Sequence, residues 1–371
     1  MAVEIPSDPT PPPSMAKIAR RAGVAKSTVS MALRNDPVIS EKQRRRIQRI
    51  ATRMGYRTNA LVARLMHELK LSRKRRYVAT LALVNCSNNN PAGISFPSVL
   101  ADMLDGVKTR ANQLGYGVDP FWLYEPDVTP ARLADIFRAR NMQGVALYST
   151  DDDFKSLLPD YKPVWGQFPV LTIGSRIPTL PFHFVCNDHY STAMQGCARL
   201  LETGYKRIGL YMVRWLDNTL EHRFVSGYRT CLEKAGLEAP PVFYFEHPRY
   251  NSHRTYPEAQ PAFARWLEDS RVDAVLALNS WIFEWIAALG LRLPDDLGVA
   301  LLDLPRESRG KVAGMEQRPE WTGMASVDAL TGQILRHETG IPPFQQGTLI
   351  ESTWVPGATV RTTSAINLMP R

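Results

Sequence analysis

The 371-residue sequence has few cysteines and no long apolar run. Its four cysteines are widely spaced and form no Cys-x-x-Cys pair: Cys86, Cys186, Cys197 and Cys231. We therefore expect reduced, buried thiols rather than disulfides or a zinc site. No segment approaches the roughly 18 consecutive apolar residues that a membrane span requires. These absences predict a soluble chain without a metal or another cofactor.

Catalytic and export signals are also missing. The sequence has no GxGxxG, P-loop, GxSxG or HExxH motif and no paired spacing of acid, base or nucleophile. This argues against the alternative of an enzyme on a doubly wound fold. Residues 1–14 are rich in proline and lack the charged and apolar regions of a signal peptide. We expect a disordered lead over 1–14, with Met15 as an alternative start, and a cytoplasmic protein.

Positive charge is concentrated near the N-terminus. Residues 17–76 contain eighteen lysines and arginines against Asp36, Glu41 and Glu68, a net charge of +15, whereas the whole chain carries +9. The rest of the chain is therefore mildly acidic. Such asymmetry is typical of a protein in which one domain meets a polyanion. A solvated basic face is the alternative that charge alone leaves open.

Two short helical segments joined by a glycine turn lie inside this basic region. Residues 16–22 carry apolar side chains on one face and end at Gly23, and the stretch VAKSTVSMALRND (24–36) follows. The second segment turns its apolar side chains inward: Val29, Ala32 and Leu33. A helix that enters the major groove needs short donors and acceptors near its N-terminus. The pattern predicts a helix-turn-helix, with an ordinary helical hairpin as the alternative.

A third helix is predicted after residue 40. Ser40 and Gln43 have the spacing of a capping box, and Gly55 has the position of a left-handed C-terminal stop. Apolar residues recur between them at helical spacing: Ile47, Ile50, Ala51 and Met54. We therefore predict a DNA-binding domain over 15–58, followed by a linker over 59–76.

From Tyr77 onward, strand-like and helical segments alternate. The strand-like runs are YVATLALV, GVDPFWLY, GVALY, PVLTIG, RIGLYMV, VFYF, DAVLALN and LGVALLD. The helical stretches between them are 98–114, 130–140, 190–202, 222–235, 257–268 and 282–289. Strict alternation predicts parallel sheets covered by helices on both faces. The number of strands favours two lobes over 77–362, with a ligand in the cleft at the strand ends and a short tail over 363–371.

The ordered set of motifs resembles one known family. Residues 15–66, MAKIARRAGVAKSTVSMALRNDPVISEKQRRRIQRIATRMGYRTNALVARLM, look like the DNA-binding headpiece of the lactose-repressor/galactose-repressor family of bacterial transcription factors. Four later segments are similar to that family's sugar-binding-protein-like core: FVCNDHYSTAMQGCARLLETGYKRIGLYMV, HRFVSGYRTCLEKAGL, DAVLALNSWIFEWIAALGLRLPDDLGVALLDLP and GATVRT. The resemblance covers residues 15–362.

The resemblance implies an α/β protein with a helix-turn-helix headpiece and a two-lobed, periplasmic-binding-protein-like core. It implies a homodimeric repressor that binds a palindromic double-stranded DNA operator and responds to a small-molecule effector, a sugar or sugar derivative. We expect helix 98–114 to form part of the dimer interface. An exported sugar-binding protein of the same core fold is the alternative, disfavoured by the basic headpiece and the missing signal peptide.

DNA contacts are expected in the headpiece and in the hinge. In the family, the segment that matches 59–66 folds into a helix on DNA and inserts a leucine, here Leu65, into the minor groove. A continuous amphipathic linker helix is the alternative for this segment. The full set of predicted DNA-binding residues is Lys17, Lys26, Ser27, Thr28, Ser30, Met31, Arg34, Asn59, Ala60, Arg64 and Leu65.

Three positions depart from the family's usual residues. Ala25 stands where serine is usual, so the second helix lacks a side-chain N-cap. Met31 replaces an arginine, and Thr58 replaces the proline before the hinge asparagine. We expect an unusual target preference, set mainly by Lys26, Ser27 and Met31.

Effector contacts are expected where core strands end. Asn279 and Asp303 match family positions that bind the effector, and Arg223 lies near the family's effector arginine. Arg223, however, precedes Gly227 by four residues where three is usual. Trp281 and Trp285 form an aromatic pair at helical spacing. Trp281 either stacks on a ring of the ligand, or both tryptophans belong to the core.

Overall fold

In the computed structural model, the described residues are 15–33, 36–54, 79–87, 98–149, 154–177, 180–246 and 256–362. They form a three-helix unit and two α/β lobes. None of the helices in these ranges combines the length and the hydrophobicity needed to cross a bilayer. The predicted domain boundaries at residues 58 and 76 lie outside the described ranges and remain predictions.

The N-terminal unit consists of α1 (Met15–Ala22), α2 (Lys26–Leu33) and α3 (Glu41–Arg53). Gly23 turns the chain between α1 and α2 with φ +64°, a conformation that glycine adopts at low cost. The three helices share one apolar core, whose buried members are Ile18, Ala19, Ala22, Val29, Ala32, Ile39, Ile47 and Ala51. The helix-turn-helix is therefore present as predicted from the periodicity of its apolar residues.

The capping box predicted for α3 does not form. Ser40 is the N-cap residue of α3, but its side chain accepts no hydrogen bond from the first turn. Its carbonyl oxygen instead accepts the backbone N–H of Arg44 at 2.9 Å, which starts the helix. Burial of Ile47 and Ala51 fixes α3 on the unit. The capping spacing alone was thus misleading, because packing holds the helix without it.

The core contains twelve strands and nine α-helices in the described ranges. The strands are β1 (Ala79–Asn85), β2 (Tyr116–Trp122), β3 (Met142–Tyr148), β4 (Val170–Ile173), β5 (His183–Asn187), β6 (Ile208–Val213), β7 (Phe243–Phe245), β8 (Ala274–Ala277), β9 (Gly298–Leu301), β10 (Ala313–Glu316), β11 (Gly347–Ile350) and β12 (Thr353–Val355). The helices are α4 (Ser98–Gln113), α5 (Pro130–Ala139), α6 (Phe154–Trp165), α7 (His189–Glu202), α8 (Arg214–Thr219), α9 (Arg223–Lys234), α10 (Gln260–Ser270), α11 (Ile282–Ala288) and α12 (Pro319–Arg336).

The strands form two six-stranded sheets, one in each lobe. The first-lobe sheet has the order β11-β5-β4-β3-β1-β2 and is parallel throughout. The second-lobe sheet has the order β12-β10-β9-β8-β6-β7, and only β12 runs antiparallel to its neighbour. The predicted α/β architecture of two lobes with parallel sheets is confirmed.

The chain crosses between the lobes three times, after β5, after β10 and between β11 and β12. Hydrogen bonds join the first and third crossings. The amide of Asn187 donates to the carbonyl of Ile350 at 3.0 Å and to Ser352 Oγ at 2.8 Å. Thr192 Oγ1 donates to Asn187 Oδ1 at 2.9 Å and lies 2.7 Å from Ser352 Oγ. These buried bonds hold the two connections side by side at the junction of the lobes.

In each lobe, a pair of helices packs closely through glycine. In the first lobe, a Cβ added to Gly323 of α12 would lie 2.0 Å from the carbonyl oxygen of Met103 of α4. In the second lobe, a Cβ added to Gly227 of α9 would lie 2.0 Å from the carbonyl oxygen of Tyr190 of α7. No other residue type fits at either position without a backbone shift.

Several elements were not predicted from the sequence. They are α6, α8, α12, β5, β10, β11 and β12, and all but α6 and α8 lie near the lobe crossings. The predicted helix 257–268 begins with a 3-10 turn at Pro257–Ala259 and continues as α10. All four cysteines are buried, as expected, and they form no disulfide with one another.

Candidate functional site

The outer face of α2 presents short polar side chains around a single lysine. Lys26 and Ser27 in the first turn are exposed, and Thr28 and Ser30 are half-buried. Val29 and Ala32 point the other way and are fully buried against α1 and α3. The geometry gives α2 one face for packing and another of the size that a major groove admits.

The position of α2 is fixed by its neighbours. The backbone N–H of Val24 donates to the carbonyl of Ala19 at 3.1 Å, which closes the turn between α1 and α2. At the other end, the side-chain amide of Gln48 on α3 donates to the carbonyl of Ala32 at 3.0 Å. A helix held at both ends can place its exposed residues reproducibly against DNA.

The other predicted DNA contacts are distributed unevenly. Lys17 on α1 is exposed. Met31 is half-buried and packs against the core of the three-helix unit, so only part of its side chain is open to a base. The remaining predicted residues lie outside the described ranges: Arg34, Asn59, Ala60, Arg64 and Leu65.

The third helix carries most of the described positive charge of this unit. Its sequence, EKQRRRIQRIATR, contains six basic residues against one acid. That acid, Glu41, pairs with Arg45 one turn away. The basic residues that are exposed are Lys42, Arg45, Arg46, Arg49 and Arg53. Such a surface attracts DNA phosphates irrespective of sequence, whereas the α2 face is the part suited to reading bases.

In the second lobe, Asn279 lies just beyond the end of β8. Its Oδ1 accepts the hydroxyl of Tyr211 at 3.3 Å and the backbone N–H of Trp281 at 3.2 Å. Both hydrogen bonds are accepted by the side-chain oxygen, so they fix the orientation of the amide and do not use its NH₂ group. Among the described residues, none accepts a hydrogen bond from that NH₂ group. Asn279 is thus a preoriented donor at the end of a strand.

Asp303 lies two residues beyond the end of β9 and is half-buried. Its neighbours are fixed: the N–H of Leu302 donates to Ala277 O at 2.7 Å, and the N–H of Leu304 donates to Met315 O at 3.0 Å. No described residue forms a hydrogen bond or an ion pair with its carboxyl group. Burial raises the pKa of Asp303 to about 7. A carboxyl group in this state both donates to and accepts from ligand hydroxyls near neutral pH.

The tryptophan pair lies in the core of the second lobe. Trp285 is 1% exposed, and its indole N–H donates to the carbonyl of Tyr256 at 3.0 Å. Trp281 is 8% exposed and has its ring centroid 4.9 Å from that of Tyr256 and 6.0 Å from that of Phe245. These contacts favour the core interpretation over stacking on a ligand ring.

Arg223, the first residue of α9, lies at the junction of the lobes. Its Nη2 donates to Oε2 of Glu221 at 3.3 Å. The same carboxylate accepts Nη1 of Arg176, which follows β4 of the first lobe, at 2.9 Å and 3.0 Å. An arginine from each lobe therefore meets one carboxylate, and the Arg176–Glu221 pair directly joins the two lobes.

The turn that carries Glu221 has an unusual backbone. Glu221 and His222 are consecutive left-handed residues with φ 54° and 58°. The N–H of His222 donates to the carbonyl of Asp217 at 2.9 Å, and its Nδ1 lies 2.8 Å from Asp217 Oδ2. Asp217 is fully buried and also accepts the hydroxyl of Tyr244 at 2.7 Å. Asp217 therefore anchors a strained turn of the kind often found at ligand sites.

His189 is a buried polar residue beside the first crossing. Its imidazole packs edge-on against Phe224 with the ring centroids 4.8 Å apart. Burial, and secondly the charge of Arg223, lowers the pKa of His189 to about 3, so the ring is neutral. Its Nδ1 is buried without a partner in the described part of the chain.

The first lobe also presents polar groups where its strands end. After β1, the N–H of Ser87 donates to Asn85 Oδ1 at 2.9 Å, and Ser87 Oγ lies 3.4 Å from Ser149 Oγ after β3. The indole N–H of Trp122 donates to Ser87 O at 2.8 Å. Asn85 Nδ2 is buried and unpaired among the described residues. Both lobes thus bring hydrogen-bonding groups to the carboxyl ends of their parallel strands.

Several of these residues were not predicted from the sequence: Arg176, Asp217, Glu221, His222 and His189. Arg176 follows a buried strand by three positions, so the strand-end rule could have identified it. The Asp217 anchor left no sequence signal, because its partners depend on the turn geometry. In the described ranges, no group of three or more His, Cys, Asp or Glu side chains is placed to hold a metal ion.

Comparison with known families matches both parts of the chain. Residues 14–59 match the family described as "Bacterial regulatory proteins, lacI family". Residues 197–360 match the "Periplasmic binding protein-like domain". The first match covers the three-helix unit, and the second covers most of the second lobe together with α12 and β11 of the first lobe.

Curated relatives are transcriptional regulators. The chain is 22% identical to the regulator DegA of Bacillus subtilis (strain 168) over 293 residues, which cover 77% of this chain and 80% of DegA. It is 26% identical to the regulator CelR of Thermobifida fusca over 339 residues, which cover 86% of this chain and 93% of CelR.

Solved structures share the fold. The transcriptional regulator CelR–cellobiose complex has a TM-score of 0.56 at 22% identity, with 94% of this chain and 99% of that chain covered. The lac repressor dimer bound to operator and the anti-inducer ONPF has a TM-score of 0.57 at 18% identity, with 95% and 100% covered.

The helix-turn-helix unit and the two-lobed core define a DNA-binding transcriptional regulator with a periplasmic-binding-protein-like domain. Within that class, the chain is similar to the lacI family of bacterial regulatory proteins, whose model matches its N-terminal unit, and to transcriptional regulators that it matches over most of its length.

Proposed function

We propose that the chain is a homodimeric repressor whose affinity for a palindromic operator is controlled by a small molecule bound between its lobes. The observation that carries this proposal is the junction itself. Two mainly parallel sheets direct polar strand ends toward a boundary that three chain crossings span. A ligand held by both lobes stabilises one relative arrangement of them, and only a difference in affinity between arrangements can shift the equilibrium.

The geometry supports a role for each predicted site residue that the structure describes. On the DNA side, Lys26 and Ser27 are proposed to read bases, with Lys17, Thr28, Ser30 and the open part of Met31 as further contacts. The resemblance adds Arg34, Asn59, Ala60, Arg64 and Leu65 to the proposed DNA contacts. On the effector side, Asn279 donates through Nδ2, Asp303 bonds hydroxyls, and Arg223 supplies charge. Trp281 shapes the floor of the cleft from within the core.

The proposed effector is a sugar or sugar derivative. Asp303, whose carboxyl group is partly protonated near neutral pH, and the oriented amide of Asn279 suit ligand hydroxyl groups, which both donate and accept hydrogen bonds. The CelR structure contains cellobiose, and the lac repressor structure contains the anti-inducer ONPF with operator DNA. These relatives support the proposal for this chain by analogy of fold.

Dimerisation is proposed because one three-helix unit reads too few base pairs for adequate specificity. Helix α4 remains the candidate for part of the interface. Its inner face packs on α12, whereas its outer face is open and consists of Ala101, Asp105, Lys108, Thr109 and Asn112. Light scattering of the full chain at micromolar concentration measures the oligomeric state, and a monomer with intact operator affinity contradicts this part of the proposal.

The decisive experiment selects DNA with the full-length protein from random sequences and then screens sugars. We expect a palindromic site bound much more tightly than scrambled DNA of the same length. A sugar that raises the melting temperature should also change the affinity for this site. Asp303→Ala should abolish the sugar response and leave sugar-free DNA binding intact, whereas the exposed Asp295→Ala should change neither. Failure to select any site, or a sugar response unchanged in Asp303→Ala, overturns the corresponding half of the proposal.

A further inference from the structure

A carboxylate of this chain lies between two arginines that belong to different lobes. Arg176 Nη1 contacts both oxygens of Glu221 at 2.9 Å and 3.0 Å, and Arg223 Nη2 contacts Oε2 at 3.3 Å. Within the described ranges, no other carboxylate is within ion-pair distance of either guanidinium group. The arrangement is that of an anion site whose present occupant is a side chain.

The Arg176 guanidinium is held independently of Glu221. Its Nε donates to Gln345 Oε1 at 2.8 Å, and the amide of Gln345 donates to the carbonyl of Phe182 at 2.8 Å. These neutral partners belong to the first lobe, as Arg176 does. The guanidinium therefore stays oriented toward the junction when its anionic partner is exchanged.

Glu221, in contrast, is placed so that it can be replaced. It lies on the left-handed turn before α9, and its side chain is 31% exposed in the pair with Arg176. Ion pairs with this degree of exposure contribute little to stability because water and salt screen them. A ligand anion that also forms hydrogen bonds elsewhere in the cleft therefore binds the two arginines more strongly than Glu221 does.

We propose that the ligand of the cleft is an anionic sugar derivative, whose carboxylate or phosphate group binds Arg176 and Arg223 in place of Glu221. This inference rests on the proposed function, because it assigns the ligand to the same junction between the lobes. The two arginines come from different lobes, so the ligand anion joins the lobes directly. Glu221 then raises the ligand concentration needed for binding, since it competes with the ligand for both arginines.

The first test uses inorganic phosphate as the probe and requires no knowledge of the ligand. The melting temperature of the full chain is followed during titration with phosphate, against potassium chloride of equal ionic strength. In Glu221→Gln, phosphate should raise the melting temperature by about 3 °C once it exceeds its Kd tenfold. The rise should be smaller in the wild type, where Glu221 competes, and absent in the double variant Arg176→Gln/Glu221→Gln.

Arg306→Gln is the matched control for a purely structural bridge. Arg306 of the second lobe lies 3.7 Å from Asp102 of α4 and 3.4 Å from Glu320 of α12, so it also joins the lobes through ion pairs. Its loss should leave the phosphate response at the wild-type level. If Glu221→Gln responds to phosphate no more than Arg306→Gln or the double variant does, the anion site is refuted.

The second test compares three sugars that differ only at carbon 6: glucose, glucuronate and glucose 6-phosphate. By calorimetry, at least one anionic member should bind at least tenfold more tightly than glucose, and Glu221→Gln should increase that ratio. The preferred member identifies a carboxylate or a phosphate. If glucose binds best and shifts operator affinity, effector sensing stands and this inference fails. If none of the three binds, the phosphate titration alone decides, and operator selection tests the proposed function separately.

Discussion

The hydroxyl of Tyr244 donates a 2.7 Å hydrogen bond to Oδ2 of Asp217, a carboxylate whose side chain has no exposed surface. The same oxygen lies 2.8 Å from His222 Nδ1. Asp217 accepts from groups on β7 and on the turn before α9, and it thereby holds the turn that carries Glu221. Burial, and then the bond to Asp217, raises the pKa of Tyr244 to about 12, so the hydroxyl stays protonated as a donor.

Tyr244→Phe should therefore destabilise the protein by about 1–3 kcal/mol, because a buried carboxylate loses a donor and keeps its desolvation cost. The aromatic ring, over which Arg214 lies, is retained in this variant. The midpoint of urea unfolding measures the effect. Tyr116→Phe is the control, since Tyr116 is half-buried and its hydroxyl has no partner in the described part of the chain. Equal shifts in the two variants would contradict the role of Asp217.

Two glycines of α12 should respond oppositely to alanine. A Cβ at Gly323 would lie 2.0 Å from the carbonyl oxygen of Met103, so Gly323→Ala forces α12 away from α4 and should cost about 1–3 kcal/mol. At Gly332, the nearest atoms belong to the flexible end of Arg336 at 3.0 Å. Gly332→Ala should be neutral or stabilising by up to about 1 kcal/mol, because alanine favours the helix. Thermal unfolding measures the change in stability of both variants. If Gly323→Ala leaves the stability unchanged, α12 and α4 can separate at no cost in free energy.

The strands that precede Asn279 and Asp303 could be predicted from the sequence, because buried parallel strands are short apolar runs with a polar residue after them. Asn279 and Asp303 both follow such runs. Helix α12 could not be read in this way. Its segment PEWTGMASVDALTGQILR contains two glycines and several β-branched residues, which local propensity disfavours in a helix. Close packing on α4 requires one of those glycines, so tertiary contact overrides the local preference.

The Arg176–Glu221 contact had no local signal either, since the two residues are 45 positions apart and belong to different lobes. The β11 and β12 strands, four and three residues long, pair only with distant strands and leave no periodic pattern. For Trp281 and Trp285, helical spacing fitted both a stacking platform and a core pair. Only the surrounding aromatic rings, which no sequence window contains, distinguish the two.

Asp303 should make stability fall as the pH rises through the neutral range. Its folded pKa of about 7 lies above 3.8, the usual value for an aspartic acid, so the folded state binds more protons than the unfolded state between these values. The stability associated with this proton is therefore lost as the pH rises from about 4 to 7. Between pH 5 and 8, the wild type should lose about 2–3 kcal/mol relative to Asp303→Asn.

Urea unfolding of the wild type and Asp303→Asn at several pH values measures this difference, and the exposed Asp295→Asn serves as the control. The curves for the wild type and Asp303→Asn should diverge as the pH rises, whereas Asp295→Asn should follow the wild type. Parallel curves for all three proteins would mean that the carboxyl of Asp303 is ionised throughout. Asp303 would then act only as an acceptor toward ligand hydroxyls.

Operator binding should depend on a single positive charge of α2 far more than on an equal charge of the core. Lys26 is exposed in the first turn of α2, beside Ser27, and Lys234 is exposed at the end of α9 in the second lobe. Lys26→Ala should weaken binding to the selected operator by about 1–3 kcal/mol, the range of a lost base contact. Lys234→Ala removes the same charge and should leave the affinity unchanged.

Fluorescence anisotropy with the selected operator and with scrambled DNA, each at several salt concentrations, separates the two contributions of Lys26. Affinity for both DNAs should fall steeply as the salt concentration rises, because the basic residues of α1 to α3 neutralise phosphates and release the cations that were condensed on the DNA. If Lys26 reads a base, Lys26→Ala should lose more affinity for the operator than for scrambled DNA. An equal loss on both would assign Lys26 to a phosphate and leave base reading to Ser27 and its neighbours.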